Sequence, residues 1–144
     1  MLQIARDRGV EVVGTAGPGS QDYLRSLGAT ATTYGDGWVG RVRRLGPVDA
    51  ALDLAGAGVI EELVELTGDP RGVVSIADLD APRHGVRFSD TAGSVQEALA
   101  VAVDLVARGR LRIPVEKTHP LADAAAAHVD SRAGHTRGRR ALLV

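Results

Sequence analysis

Four short stretches of this 144-residue chain carry residue types and spacing suited to holding a ligand: 15–20, 34–37, 54–58 and 75–78. The first lies within GTAGPGS (14–20), where Gly17 and Gly19 have the GxG spacing of a phosphate loop. Such a loop cradles an anion with backbone N–H groups at a helix N-terminus. Asp36 also falls roughly 20 residues further on, where that fingerprint expects an acidic residue. Against it, the third glycine of the fingerprint would be residue 22, which is Asp22. A carboxylate there repels a diphosphate from the positive end of the helix. Two other readings stay open. The loop is a plain strand-to-helix connection, or it is the loop after a second strand, where an adenosine ribose and any 2′-phosphate would lie.

Other chemistry is sparsely represented. His84, His119, His128 and His135 show no HExxH or paired metal spacing. They read as surface or capping residues, with His119 beside Pro120 at a helix start. Asp49 and Asp53 share one face of a strand; Asp53 reads as bound to neighbouring backbone, and Asp49 as lying at the solvent end. The chain has no cysteine, which excludes a disulfide scaffold, a thiolate zinc site and a cysteine nucleophile. No GxSxG marks a nucleophile elbow. The basic stretch 132–140 has no aromatic partners and reads as a solvated terminus. With a net charge of −1, no nucleic-acid or membrane partner is expected. No apolar run approaches ~20 residues and no secretory leader pattern is visible, so a cytoplasmic setting is expected.

The elements that must position these stretches alternate regularly. Residues 2–8 read as the tail of a helix ended by Gly9. Residues 10–15 (VEVVGT) form a strand, and Tyr23, Leu24 and Leu27 one face of a helix stopped by Gly28. ATATTY (29–34) is a second strand. A short helix follows Gly35 and Asp36, with Trp38, Val39 and Val42 inward, and VDAALDLA (48–55) is a nearly continuous apolar strand. Ile60, Leu63, Val64 and Thr67 have amphipathic helical spacing. Residues 73–77 form a fourth strand and residues 85–88 a shorter fifth. Val95, Ala98, Leu99, Ala102, Val103 and Val106 mark a helix stripe closed near Gly109. An extended stretch (112–116), a helix from Pro120 to about Asp130 and a final strand (141–144) complete the chain. With aromatics at 3%, the core is aliphatic. This order predicts an α/β fold with a Rossmann-like, doubly wound parallel sheet. In it, ligands bind beyond the carboxyl ends of the strands, where the four stretches lie.

Across nearly the whole chain, this series resembles the zinc-independent quinone-oxidoreductase branch of the medium-chain dehydrogenase/reductases. The resemblance is carried by RGVEVVGTAGPGSQDYLRSLGATATTYGDGW, VDAALDLAG, RGVVSIAD, GVRF, LVARGRLRIPV and HPLADAAAAH, in that order. It implies NAD(P)H-dependent reduction of a small-molecule quinone or enone. It implies that Thr15, Ala16, Gly17 and Ser20 meet the adenosine ribose and that Tyr34 packs near the adenine. Leu54, Ala55, Ser75, Ile76 and Ala77 would line the nicotinamide ribose. A homodimer through the edge strand near Phe88 is a further implication, and no catalytic residue is nominated.

By the same resemblance, the helix at residues 2–8 would follow a strand and a GAxGGVG turn, with a β-rich domain before them. The chain is therefore expected to be a partial cofactor-binding domain (1–110) and a strand-helix-strand segment (111–144) that would pack on that other domain. It would lack the central strand and glycine-rich loop, and be inactive alone. Unpaired neighbours of that strand would make it marginally stable, unless they paired with each other or recruited another polypeptide. NADP is favoured by the resemblance. The residues after the first strand, Gly17, Pro18, Gly19, Ser20 and Gln21, offer no cation for a 2′-phosphate and no acid for a 2′-hydroxyl, so NAD stays open. Two other classes stand beside this reading: a non-catalytic assembly module that has lost nucleotide binding, and a methyltransferase, disfavoured because it needs a glycine-rich first turn and an acid ending the second strand, and neither is here.

Overall fold

The computed structural model describes residues 1–89, 93–134 and 138–144. Helix α1 (Leu2–Asp7) is closed by Gly9 at φ +70°, beyond which Val10 N–H donates to Ala5 O at 2.9 Å. This left-handed glycine ending is the one its sequence predicts. Strands β1 (Val13–Thr15) and β2 (Thr30–Thr32) pair in parallel, Val13 opposite Thr30, joined through α2 (Gln21–Ser26). After α3 (Trp38–Arg43) comes a second parallel sheet in the order β3 (Ala51–Asp53), β4 (Val73–Ser75), β5 (Arg87–Phe88). Helix α4 (Ile60–Thr67) connects its first two strands. Helix α5 (Val95–Ala107) starts at Ser94, whose Oγ accepts from Glu97 N–H. A third sheet pairs β6 (Val115–Pro120) with β7 (Arg139–Leu143), again in parallel, across α6 (Ala124–Arg132).

The α/β parallel-stranded architecture is the one the element order predicts, with the strands shorter than expected. Residues 10–12 and 48–50 are apolar enough for strand but lie beyond the ladders. A strand extends only as far as its neighbour offers backbone partners, and β2 and β4 each supply three residues. Among the described residues no ladder joins β1 to β3. The parallel strands therefore form separate ribbons, and these two edges do not pair with each other.

The tail differs more. The sequence places extended chain at 112–116 and a helix from Pro120. Instead the strand runs through His119 to Pro120, which lies opposite Leu143, and α6 starts at Ala124 after a 3-10 turn. Proline suits this strand end because it has no N–H to pair.

The core is built on the second sheet. Ile60, Val73, Ala81 and Val86 are buried, with Ala51, Leu63 and Val64 packed on them. Burying a side chain such as Val73, which is fully enclosed, contributes about 1.5–3 kcal/mol. The α4 stripe thus faces the core as its spacing predicts. The α5 stripe does not: Leu105 is buried, but Val95, Leu99, Val103 and Val106 are between 51% and 66% exposed. Helical periodicity records an apolar face, not what lies against it. Two polar links tie α1 to the segment after α5. Gln3 exchanges hydrogen bonds with the Arg112 backbone, and Asp7 accepts from Arg110 at 2.9 Å. No helix among the described residues is long and apolar enough to cross a membrane.

Candidate functional site

The loop after β1 is held by its own polar groups. Ala16 N–H donates to Thr32 O, extending the β1–β2 ladder, and Ser20 N–H donates to Gly17 O within a 3-10 turn at Pro18–Ser20. The Gln21 side-chain amide donates to Ala16 O (2.6 Å), Thr32 O (3.1 Å) and Gly17 O (3.3 Å). One side chain thus fastens the carboxyl ends of both strands. Neither Gly17 nor Gly19 takes a left-handed backbone, so the pair forms no glycine nest around an anion. Gly17 is small for another reason: a Cβ there would stand 3.3 Å from the Tyr34 hydroxyl. Gly17 is therefore beside Tyr34, a residue 64% exposed, while Thr15, Ala16 and Ser20 share Gly17's loop.

The basic side chains around this loop are engaged. Arg41 donates to the carbonyls of Thr33, Tyr34, Gly35 and Asp36 at 2.8–3.3 Å, capping the turn after β2. Arg25 pairs with Asp22 at 2.7 Å.

The second cluster lies at the carboxyl ends of β3 and β4, where Asp53 is the register partner of Ser75. Both are buried, at 4% and 0% exposure. Ser75 Oγ donates to Asp53 Oδ2 at 2.7 Å, and Asp53 Oδ1 accepts from the N–H groups of Ala55 (3.1 Å) and Gly56 (3.0 Å). Ser75 Oγ in turn accepts from Ala77 N–H (3.1 Å) and Asp78 N–H (2.8 Å). Burial pushes the Asp53 carboxyl up, but the hydrogen bonds from Ser75, Gly56 and Ala55 pull it down. The net position is below the ordinary aspartate value. Gly56 (φ +64°) lies so close to the next loop that a Cβ would be 2.8 Å from Ala77 O. Leu54 and Ile76 are 53% and 54% exposed at the strand ends, with Ala55 and Ala77 also at the surface.

Leu54, Ala55, Ser75, Ile76 and Ala77 thus lie together at the carboxyl ends of β3 and β4. Ser75 differs in kind from the other four: its hydroxyl is turned inward and serves the two loops. Asp53 binds neighbouring backbone, as its sequence reading has it. Gln21 was missed there. The spacings D-x-A-G and S-x-A-D, carboxylate or hydroxyl two and three residues before backbone N–H groups it can accept from, are the signal that could have found the Asp53–Ser75 pair.

The histidines need one correction. His119 is neither exposed nor a cap; it is 7% exposed within β6, 3.5 Å from Asp130, which also pairs with Lys117. Alternation along the strand turns its side chain inward. His84 and His128 are exposed, and His135 lies outside the described residues. Among the described residues no three His, Asp or Glu side chains converge as metal ligands.

Comparison with known proteins fits this geometry. The sequence pattern of the zinc-binding dehydrogenase family matches residues 27–142. Similar solved structures include the quinone oxidoreductase from Coxiella burnetii (25% identity, TM-score 0.78), covering 99% of this chain and 48% of that one. A mycobacterial protein complexed with NADPH is 26% identical with TM-score 0.77, covering 99% and 52%. An NAD-dependent alcohol dehydrogenase, 23% identical, shares the fold with TM-score 0.81, covering 99% and 46%. The chain spans about half the length of these structures. No curated protein matches the sequence. With a family match over most of its length and the parallel-stranded fold of these structures, the chain belongs to the zinc-binding dehydrogenase family, the medium-chain dehydrogenase/reductases, and corresponds to a quinone-oxidoreductase-like cofactor-binding portion.

Proposed function

We propose that this chain is the cofactor-binding part of an NAD(P)H-dependent oxidoreductase that reduces a small-molecule quinone or enone without zinc. The observation that carries the reading is the apolar shelf of Leu54, Ala55, Ile76 and Ala77, set on two loops fixed from beneath by the buried Asp53–Ser75 pair. Such a shelf at parallel-strand carboxyl ends suits a ribose and a flat, uncharged ring. The Gly17–Tyr34 contact suits the adenosine end, where an exposed ring beside a side-chain-free backbone leaves room for a base to lie flat. When bound, the nicotinamide supplies the hydride; the shelf orients its ring and keeps water from one face. No residue of this chain is assigned to proton transfer or to the diphosphate.

The loop after β1 decides little between the two cofactors by attraction, since Arg25 and Arg41 are spent on Asp22 and on backbone carbonyls. NADP is favoured by the family resemblance, and the neutral loop specifies neither cofactor. The β5 edge with Phe88 is the surface we read for self-association, and a cytoplasmic setting is part of the same reading.

Calorimetric titration of the 144-residue chain with NADH and with NADPH tests it. Binding of either tighter than roughly 100 μM supports the reading. Absence of binding sinks it, and favours a non-catalytic assembly module, for which the open edges of β1 and β3 are the specific observation.

A further inference from the structure

The two loops at the carboxyl ends of β3 and β4 are not independently folded. Each is capped by the last side chain of its own strand: Asp53 takes the N–H groups of Ala55 and Gly56, and Ser75 those of Ala77 and Asp78. The two caps are joined by one hydrogen bond, Ser75 Oγ–H to Asp53 Oδ2, between register partners. The loops also pass close to one another, since a Cβ at Gly56 would stand 2.8 Å from Ala77 O. A hydroxyl has one proton. Here it goes to the carboxylate, which leaves the oxygen's lone pairs for the second loop. Removing the hydroxyl uncaps the second loop and unlinks it from the first, whose own cap by Asp53 remains.

We propose that Asp53 and Ser75 are positioning residues: touching no ligand, they lock the two loops into one shelf for the nicotinamide half of the cofactor. This rests on the nucleotide-binding reading above and adds which residues set its geometry. The pair is enclosed beneath the surface, while Leu54, Ala55, Ile76 and Ala77 stand at it. The adenosine-side residues are fastened separately, Gly17 through Gln21 and Tyr34 through Arg41. The pair's influence therefore falls on one half of the ligand alone.

The test compares NADH with ADP-ribose, which lacks nicotinamide, by calorimetry on the 144-residue chain and its variants. Ser75→Ala is expected to weaken NADH about five- to tenfold, the effect of one or so lost hydrogen bonds, with ADP-ribose changed less than about twofold. Ser75→Thr, which keeps the hydroxyl, is expected to restore NADH affinity. Gly56→Ala leaves the Asp53 and Ser75 side chains unchanged but drives a methyl against Ala77 O, so that one of the two loops must shift. It should produce the same selective loss even if Ser75→Ala fails to fold. Equal weakening of both ligands, or no change in NADH binding in either variant, overturns the proposal. So does a wild-type chain that binds NADH no more tightly than ADP-ribose, though the nucleotide-binding reading then stands. A wild-type chain that binds neither ligand overturns both.

Discussion

Asp53 is enclosed, yet its carboxyl lies below the ordinary aspartate range, because hydrogen bonds from Ser75, Gly56 and Ala55 outweigh burial. A group whose folded value is depressed stabilises the fold above its unfolded value of about 3.9 and loses that contribution as pH falls through the folded value. Asp53→Asn cannot ionise and drops out of this linkage. The expected result is a thermal midpoint for Asp53→Asn that is lower than wild type by a constant amount above about pH 5. That difference should shrink as pH falls below about 4. A residual acid slope persists in both proteins, from Asp69 held down by Arg71 and Asp130 held down by Lys117. A difference independent of pH down to 2 contradicts the assignment. How far such residues could be read from sequence depends on the reach of their bonds. Asp53 bonds two and three positions away, so its backbone role was legible. Gln21 reaches Thr32 across a strand pairing, and Ser75 reaches Asp53 across another. Those bonds exist only once registers are set, so Ser75 read as a ligand contact rather than a buried clasp.

At the scale of elements, periodicity together with glycine and proline signals pointed to the α-helices and strands among the described residues, because such patterns are local properties. What it could not supply was the neighbour of each face and edge. The α5 stripe reads as inward-facing, yet Val95, Leu99, Val103 and Val106 are exposed. The same holds for strand edges. Thr30 N–H donates to Val12 O and Ala16 N–H to Thr32 O, so the alternation of a parallel ladder turns the backbone groups of Val13 and Thr15 away from β2. Ile76 N–H donates to Asp53 O, which by the same alternation turns those of Leu52 away from β4. Hydrogen exchange is therefore expected to split along each strand. The amides of Val13, Thr15 and Leu52 should exchange at least about tenfold faster than those of Gly14 and Asp53, since an unpaired amide needs no opening event. Uniform protection along β1 and β3 would show that those edges are covered in solution.

For the whole molecule, what matters is how unevenly burial is distributed. The apolar cluster of Ile60, Val73, Ala81 and Val86 belongs to the second sheet and α4. The third sheet closes on the Lys117–Asp130 pair and His119, and α1 is tied to the segment after α5 by Gln3, Asp7, Arg110 and Arg112. Polar links with one solvent-facing partner, such as Arg110–Asp7 and Lys117–Asp130, each contribute roughly 0–1 kcal/mol, against about 1.5–3 kcal/mol for one enclosed aliphatic side chain. Cooperative all-or-none unfolding requires the parts to be coupled more strongly than any part's own stability. Here the coupling is weak and the stabilities differ, so unfolding should proceed in stages. Trp38, the chain's single tryptophan, lies on α3, which packs against α4 and β2, and reports on the better-buried region. Far-UV circular dichroism averages over all the helices, including α5 and α6, the two longest among the described residues, which lie outside that region. In a urea titration the circular dichroism signal is expected to begin falling before Trp38 fluorescence shifts. Superimposable curves would mean that the polar links couple the sheets as strongly as a shared core does, and the uneven distribution of burial would then not govern how the chain comes apart.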